Sequence, residues 1–173
     1  MEVFEAVRTV LASRAFQQKA VPTVVKNRIL EAARLTGSGS NHQPWHFILI
    51  EDHTELQQLA ALAKSGPYTA QADFAVVVAI EPGNMGLSDG SRAIQSMVLT
   101  AWAEGVGSNW VGFAPMPQIN KLLDIPEPYD VLAILPFGYP VKETVQGKKK
   151  RKAPEEIFHS GKFGHPYSPK PSP

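Results

Sequence analysis

The sequence predicts a fold that combines helices with a sheet of about four or five strands. Short runs of β-forming residues alternate with longer stretches whose apolar residues recur every three or four positions. One run, Phe74–Ile80, is apolar throughout, which is typical of a central strand buried on both faces. The predicted order is two helices, strand, helix, strand, long helix, strand, short helix, strand and tail. This order indicates a sheet covered by helices.

The first half of the chain supplies three predicted helices and two strands. Apolar residues at helical spacing predict a first helix that runs to about Ala12. A second helix begins at Thr23, which is suited to cap it, and ends at Gly37. A third begins at a Thr54 cap and ends near Lys64. Strands are predicted at residues 46–50 and 74–80.

The second half contains the longest helix. It is predicted to begin at Ser88 or Asp89 and to end near Glu104, and its broad apolar face predicts a buried core helix. A short strand at 109–113, a short helix at 117–123 and a buried strand at 129–137 follow. The composition then becomes basic and finally rich in proline and serine. We therefore expect one domain at residues 1–160 and a C-terminal tail at 161–173.

Length and composition limit the possible functions. The chain has 173 residues, 43% of them hydrophobic and 19% charged, as expected of a globular domain. A net charge of +1 gives no reason to expect a nucleic-acid or membrane partner. The absence of cysteine excludes disulfides, thiolate metal sites and cysteine nucleophiles. This, with no secretory signal pattern, favours a cytoplasmic protein.

Several common catalytic motifs are missing. The five histidines do not occur at metal-ligand spacing, so no metal site is expected. There is no G-x-S-x-G elbow and no P-loop. The Gly105-Val106-Gly107 segment lacks the third glycine of the dinucleotide fingerprint and follows a helix instead of a strand, which argues against a Rossmann site.

The loop at residues 36–45 is the most informative stretch. It contains two glycines, two serines, an asparagine and a glutamine, and it ends in Pro44-Trp45. Glycine permits close backbone approach to a ligand, and the polar side chains offer several donors and acceptors. The residues alone leave two interpretations open: a polar ligand-binding loop, or an ordinary connection whose tryptophan fills the core.

The basic run at residues 148–152 has three interpretations. It is a solvated tail, a nucleic-acid or targeting patch, or an anion clamp. Arginine suits the last of these because its guanidinium binds phosphate through two parallel hydrogen bonds. Arg14 and the start of the second helix are a further source of positive charge for such a clamp.

Six segments spread over nearly the whole chain form a recognisable pattern. They are Ser13-Arg14-Ala15-Phe16 with Val21-Pro22, the loop at 37–45, Asp89 with Ala93-Ile94-Gln95, the segment 105–112, the segment 135–140, and the basic segment 150–159. Together they resemble the FMN-dependent nitroreductase family. The loop at 37–45 is the most specific of the six.

The resemblance implies an α+β three-layer sandwich with a central, mostly antiparallel sheet flanked by helices. It also implies an intertwined homodimer with FMN at the interface and no catalytic side chain, because the flavin performs the chemistry. NADPH or NADH would reduce the flavin. A flat acceptor such as a nitroaromatic or a quinone would then take the electrons in a ping-pong mechanism.

The same resemblance implies roles for particular residues. Arg14 and Arg151 would meet the FMN phosphate, and Ser13, Ser38 and Asn41 would bind the phosphate, the ribityl chain or the ring edge. Gln43 would lie close by. Trp110, Val111 and Gly112 would pass along the ring with backbone N–H groups aimed at N5 and O4. Arg8 is a further phosphate candidate, and Lys26 or Arg14 is a candidate for positive charge near N1 and O2.

Departures from the family pattern leave other functions open. Val10-Leu11-Ala12 occupies the place of the family's R-R-S, and Ser96 replaces an amide after Gln95. One alternative is a different flavin reaction, such as flavin destruction, dehalogenation or dehydrogenation. Another is a non-enzymatic flavin-binding or anion-binding module in which residues 148–152 contact a polyanion.

Overall fold

A computed structural model describes residues 1–112, 115–141 and 149–167. It is built around one four-stranded sheet whose pairings are all antiparallel, with the strand order β1-β2-β4-β3. The strands are β1 (Trp45–Ile50), β2 (Phe74–Ile80), β3 (Gly107–Ser108) and β4 (Asp130–Gly138). The predicted α+β class and the strand number are confirmed.

Strand β2 lies in the middle of the sheet, as its uninterrupted apolar sequence predicts. Every residue of β2 is buried. It pairs with β1 on one side and with β4 on the other, with one irregularity in the β4 register between Val78 and Ala79. A strand covered on both faces has no position for a solvated side chain, which explains why its sequence does not alternate.

Helices cover both faces of the sheet within the described part of the chain. They are α1 (Val3–Thr9), α2 (Thr23–Arg34), α3 (His53–Leu62), α4 (Asn84–Ala103), α5 (Pro117–Leu122) and α6 (Pro154–Ile157), with two 3-10 turns at Gly39–Asn41 and Pro67–Gln71. None of these helices is long and apolar enough to cross a membrane.

The two faces of β2 pack against different helices. Phe74, Val76 and Val78 face a core shared with α2 and α4, which contains Ile29 and Met97. The intervening alanine and valine face a second core shared with α3 and α5, which contains the buried residues Leu56, Leu59 and Ile119. The result is a three-layer sandwich whose layers follow the two-residue period of the strand.

Three helix ends differ from their predicted positions. Helix α2 begins at Thr23, but Pro22 occupies the N-cap position without a side-chain hydrogen bond, and the helix ends at Arg34, before Gly37. Asp52, not Thr54, caps α3, because its carboxylate accepts the first free backbone N–H groups. Helix α1 ends early, at Thr9, where Val10 takes an extended conformation.

Helix α4 begins earlier than predicted and the following strand is shorter. Gly83, with a φ of 111°, lets α4 begin at Asn84 and places Asp89 inside the helix. The paired residues of β3 are 107–108, not 109–113; Val111 contributes an isolated bridge to Ile134, and Phe113 lies outside the described residues. The prediction of a buried core helix is confirmed for α4.

The apolar stripe of α1 is left uncovered in the single chain. Val3 is 75% exposed and Phe4 72%, whereas the helix packs through its buried Ala6 and Thr9. Trp102 of α4 donates its indole N–H to the Thr9 hydroxyl at 2.8 Å. Helix α1 is therefore fixed on one side and presents apolar surface on the other.

Candidate functional site

The loop after α2 is fixed to α4 by three polar contacts. The backbone N–H of Gly39 donates to the Asp89 carboxylate at 2.9 Å. Arg92 donates to the carbonyl of Gly37 at 3.5 Å, and the Thr36 and Ser96 hydroxyls lie 2.8 Å apart. Asp89 is only 3% exposed, so the loop is attached to a buried group of the core helix.

The same loop holds an unusual concentration of left-handed backbone. Ser40, Asn41 and Gln43 have φ values of 51°, 58° and 55°. This conformation costs a residue with a Cβ roughly 1–2 kcal/mol, although the cost for asparagine is lower than for most residues. Such strain persists only where surrounding contacts impose it, and it is concentrated at ligand-binding sites.

The polar side chains of the loop remain at the surface. The Ser38 hydroxyl accepts the backbone N–H of Gln43 at 2.9 Å, which closes the loop on itself. The Gln43 amide donates to the Asn41 side-chain oxygen at 3.2 Å, and both residues are exposed. Trp45, by contrast, is 8% exposed and belongs to the core. The exposed polar side chains therefore fit the interpretation of a ligand-binding loop, and the buried Trp45 fits that of a connection whose tryptophan fills the core.

A second group of predicted residues lies beside β3. The backbone N–H of Ser13 donates to the Ser108 carbonyl at 2.8 Å, so residues 12–16 extend the edge of the sheet. Gly107 permits this close approach, since a Cβ there would stand 2.8 Å from the Cβ of Ser13. Arg14 is exposed, and its side chain has no hydrogen bond or ion pair within the described ranges.

The basic C-terminal segment returns to the same end of the molecule. Lys149 donates to the carbonyl of Val7 at 2.6 Å, near the C-terminal end of α1, where a cation is favourable. Burial lowers the pKa of Lys149, and the nearby Arg151 lowers it further. Arg151 is exposed and bonds only the carbonyl of Lys150 among the residues described. Lys148 lies outside the described residues.

Two predicted cations are already paired. Glu5 binds both the Nε and Nη2 atoms of Arg8, at 2.8 and 2.6 Å, and this hydrogen bonding raises the pKa of Arg8. The Lys26 ammonium lies between Glu51 at 2.8 Å and Asp73 at 2.9 Å. Lys26 therefore does not supply the free positive charge that the sequence suggested, and Arg8 would have to leave Glu5 to meet a phosphate.

Residues 110–112, a short extended strand segment outside β3 that reaches β4 through the Val111–Ile134 bridge, are supported by the segment after α3. Tyr68 hydrogen bonds Asn109, and a Cβ at Gly66 would stand 2.5 Å from Val111. The backbone N–H of Val111 donates to Ile134 at 3.0 Å and so is not free for a ligand. The N–H of Gly112 has no partner among the described residues, and Gly112 has a φ of 128°.

A cavity of about 960 Å³ opens beside Trp110 and Gly112. It also reaches Leu87 in the first turn of α4, close to the point where Met85 meets Gly39. Trp110 is fixed at its edge because its indole N–H donates to the Gly112 carbonyl at 2.8 Å. The residues of the loop itself do not line this cavity.

Two groups of predicted residues lie towards opposite ends of α4, apart from Trp110, Val111 and Gly112 beside the cavity. Asp89 holds the group Ser38, Asn41 and Gln43, while Trp102 holds α1 beside the group that contains Arg14 and Arg151. Thirteen helical positions separate Asp89 from Trp102, which is about 20 Å along the helix axis. Among the described residues, no hydrogen bond or ion pair joins the two groups within one chain.

Three residues that support the site had no assigned role in the sequence analysis. Asp89 anchors the loop, and Gly66 and Tyr68 support the strand at 110–112. Asp89 carries a recognisable signal, since a carboxylate within the apolar face of a core helix needs a buried partner. The contacts of Gly66 and Tyr68 join segments about forty residues apart in the chain, and no local pattern indicates them.

Comparison with known proteins gives consistent results. A family model described as "Nitroreductase family" matches residues 8–92 and 84–139. A protein of Methanothermobacter thermautotrophicus is 30% identical over 152 residues, which cover 82% of this chain and 79% of that protein. One of Archaeoglobus fulgidus is 31% identical over 152 residues, covering 82% and 87%. Both are provisionally named NADH dehydrogenase/NAD(P)H nitroreductase.

Solved structures show the same fold. A similarly named Bacteroides thetaiotaomicron protein superposes with a TM-score of 0.85 at 25% identity, covering 93% of this chain and 98% of the other. A Clostridium difficile protein described as an FMN-dependent nitroreductase superposes with a TM-score of 0.83 at 22% identity, covering 92% and 99%. The similarity extends over almost the full length of both structures.

Proposed function

This chain belongs to the nitroreductase family, and we propose that it is an FMN-dependent NAD(P)H oxidoreductase that reduces nitroaromatics, quinones or similar flat acceptors. The names of its two archaeal relatives support NAD(P)H as the reductant. The observation that carries the proposal is the strained, exposed loop at residues 38–43, which is attached to the buried Asp89. Its cost in backbone energy is explained if it holds a ligand.

The donor groups fit the phosphate end of FMN. Arg14 and Arg151 are exposed guanidinium groups without a carboxylate partner in the described part of the chain. Arg14 follows Ser13, whose backbone bonds Ser108, and Arg151 lies two residues after Lys149, which bonds the Val7 carbonyl. A phosphate dianion would satisfy them through charge-assisted hydrogen bonds. Ser13, whose backbone is fixed against Ser108, would support this group.

The loop fits the polar edge of the flavin ring, which alternates carbonyl and N–H groups. Side-chain amides are both donors and acceptors, so Asn41 and Gln43 are able to donate to the carbonyl groups of that edge or accept from its N–H groups. The Ser38 hydroxyl stabilises the loop shape by accepting the N–H of Gln43. The N–H of Gly112 is proposed as the backbone donor to the ring, in place of Val111.

A homodimer would unite the two groups of residues. Their anchor residues on α4, Asp89 and Trp102, lie about 20 Å apart along the helix axis. The uncovered stripe of α1 and the exposed Phe158 and Phe163 of the C-terminal segment are surfaces that a second copy would bury. We accordingly propose residues 1–160 as the FMN-binding domain, with 161–173 as a tail.

The chain's own residues would bind and orient the cofactor and the substrates, and no side chain would form or break a covalent bond with them. Bound FMN would supply the redox chemistry that links oxidation of the nicotinamide to reduction of the acceptor, for which we propose a ping-pong order. Arg14 and Arg151 would hold the phosphate, the loop at 38–43 would fix the ring edge, and Gly66 and Tyr68 would keep the strand at 110–112 in position. No side-chain nucleophile is required.

The test is direct. The purified protein should be yellow, bind about one FMN per chain, elute as a dimer, and oxidise NADH or NADPH in the presence of a nitroaromatic or a quinone. Parallel double-reciprocal plots would support the ping-pong order. Flavin binding without turnover of either acceptor would favour a different flavin reaction. Protein that cannot be loaded with FMN but binds a polyanion in a salt-dependent manner would contradict the proposal.

A further inference from the structure

The cavity beside Trp110 has the features of a small-molecule site. Its volume of about 960 Å³ lies near the upper end of the range usual for ligand pockets. Most of its wall is apolar and is supplied by the start of β4, by α5 and by the first turn of α4. The apolar residues on which the argument rests are Trp110, Met116, Ile125 and Leu132.

Two aromatic rings at the cavity are fixed in place. The Trp110 indole donates to the Gly112 carbonyl. The Tyr129 ring packs edge-on against His46, with the ring centres 4.7 Å apart, and the Tyr129 carbonyl accepts the Asn120 amide at 2.8 Å. Rings that are held in this way are ready to contact a flat ligand without a further loss of side-chain freedom.

The charges at the cavity are mainly negative. Asp124, Glu127 and Asp130 line it, are exposed, and form no ion pair within the described ranges. Lys121 is the single basic residue among the lining residues. Carboxylates around an apolar cleft with low-dielectric walls concentrate the field there and attract cations. The other end of the molecule, with Arg14 and Arg151, has the opposite sign.

We propose that this cavity binds flat aromatic cations and selects them over aromatic anions. The carboxylates supply attraction at the entrance, and Trp110 and Tyr129 supply π faces that favour a positively charged ring. The cavity touches the Trp110–Gly112 strand, so the inference names the acceptor class of the proposed oxidoreductase. Only this link to turnover rests on the proposed function; binding to the cavity does not.

Equilibrium dialysis of the FMN-saturated protein tests the assignment with three probes of similar shape: 1-methylquinolinium, quinoline and quinoline-6-sulfonate. At low salt we expect the cation to bind about five- to tenfold more tightly than the anion, with quinoline between them. The triple variant D124N/E127Q/D130N should lose this preference while its affinity for quinoline is unchanged. The control E2Q/E55Q/E155Q changes the charge equally at exposed carboxylates away from the cavity and should keep the preference.

A salt titration of the unmodified protein makes the test independent of how well the variant folds. The preference for the cation should shrink as the ionic strength rises from about 20 to 500 mM, because the carboxylates are exposed. Equal binding of cation and anion at low salt would overturn the inference. So would binding that occurs without FMN but is abolished by saturating FMN, because the cavity would then belong to the flavin itself.

Turnover separates this inference from the proposed function. Nitro derivatives of the cationic and anionic probes should be reduced with a similar difference in kcat/KM. Reduction of both at equal efficiency would end the inference and leave the oxidoreductase intact. Selective binding of cations by a protein that reduces neither probe would support the inference and contradict the proposed oxidoreductase function.

Discussion

Asn41 has a strained backbone conformation and is also proposed to bind the flavin. Its φ of 58° places it in the left-handed region, its side chain is exposed, and its amide oxygen accepts a hydrogen bond from Gln43. Asparagine tolerates this conformation better than other residues with a Cβ. The residue type therefore suits the turn and would also suit the proposed ligand, and two substitutions separate these requirements.

The variant Asn41→Gly should keep the fold and lose flavin affinity. Glycine adopts a positive φ without strain, so the free energy of unfolding of the FMN-free protein should change by less than about 0.5 kcal/mol. Asn41→Ala should lower it by about 1 kcal/mol through strain. Both should bind FMN more weakly, as measured by fluorescence titration. Parent-like FMN affinity in the glycine variant would remove Asn41 from the site.

Arg151 should contribute directly to FMN binding. Replacing it with alanine removes a charge-assisted hydrogen bond to the phosphate and should weaken FMN binding by about 1.5–3 kcal/mol. Lys64→Ala, an exposed cation on the opposite side of the sheet, is the control for net charge and should have no effect. If riboflavin, which lacks the phosphate, loses affinity equally in the Arg151 variant, the phosphate role is wrong.

At the level of elements, α4 is the support on which the loop is fixed. Asp89 accepts the Gly39 N–H and also faces Arg92 at 3.3 Å. Asp89→Ala leaves that N–H without its acceptor and should destabilise the FMN-free protein by about 1–3 kcal/mol, with loss of FMN binding. Asp89→Asn keeps an acceptor oxygen and should recover most of both losses. Equal damage in the two variants would mean that charge, not the hydrogen bond, holds the loop.

Lys26 joins α2 to the ends of β1 and β2. Burial disfavours its charge, but hydrogen bonds to Glu51 and Asp73 more than compensate, so the pKa of Lys26 is raised. Lys26→Met should destabilise the protein by about 1–2 kcal/mol at pH 7, because the partly buried Asp73 loses its cationic partner and keeps only the backbone N–H of Val21.

The pH dependence of this contribution follows from the direction of the shift. A raised pKa means that the stabilisation by Lys26 is fully present below the ordinary lysine value of 10.5 and is lost as the pH rises through the higher folded-state value. Urea unfolding of the parent and of Lys26→Met should therefore converge only above about pH 10.5. Convergence near neutral pH would show that the ion pair contributes nothing.

The sequence predicted those elements whose patterns are local. The apolar run of β2 was recognisable because this strand is buried on both faces, and the apolar stripe of α4 was recognisable because this helix is buried on one face. The start of α4 and the cap of α3 were misplaced. Gly83 acts through its positive φ and Asp52 through its side-chain hydrogen bonds, and the sequence offers Ser88, Asp89 and Thr54 as equally suitable capping residues nearby. Element ends depend on a few hydrogen bonds, whereas element type depends on many residues.

The candidate site was predictable only in part, because several of its contacts join residues that are distant in the sequence. The loop at 38–43 was recognised from its composition as a candidate ligand-binding loop, and its residues Ser40, Asn41 and Gln43 are exposed while Ser38 is half-buried. The pairing of Lys26 with Asp73 could not be inferred, because the two residues lie far apart in the sequence, whereas Glu5 and Arg8 have the i, i+3 spacing of a helical ion pair. The supporting contacts of Tyr68 and Gly66 depend on the tertiary fold.

At the scale of the whole molecule, the single chain has surfaces that its own fold does not cover. Phe4 and Phe163 are 72% and 91% exposed, on the first helix and on the C-terminal segment. We propose that a second copy of the chain covers this exposed apolar surface. A second copy bound there would also explain why the cationic group and the loop occupy opposite ends of α4, since each site would take one group from each chain.

A mixed dimer tests this central claim most directly. One chain carries Arg14→Ala and Arg151→Ala, the other carries Asn41→Gly, and two affinity tags isolate the dimer that contains one of each. If each site combines the cations of one chain with the loop of the other, one site has every defect and the second has none. We therefore expect one FMN per mixed dimer, bound with the affinity of the unmodified protein. Two weakened sites and no site of normal affinity would show that each chain binds its flavin alone.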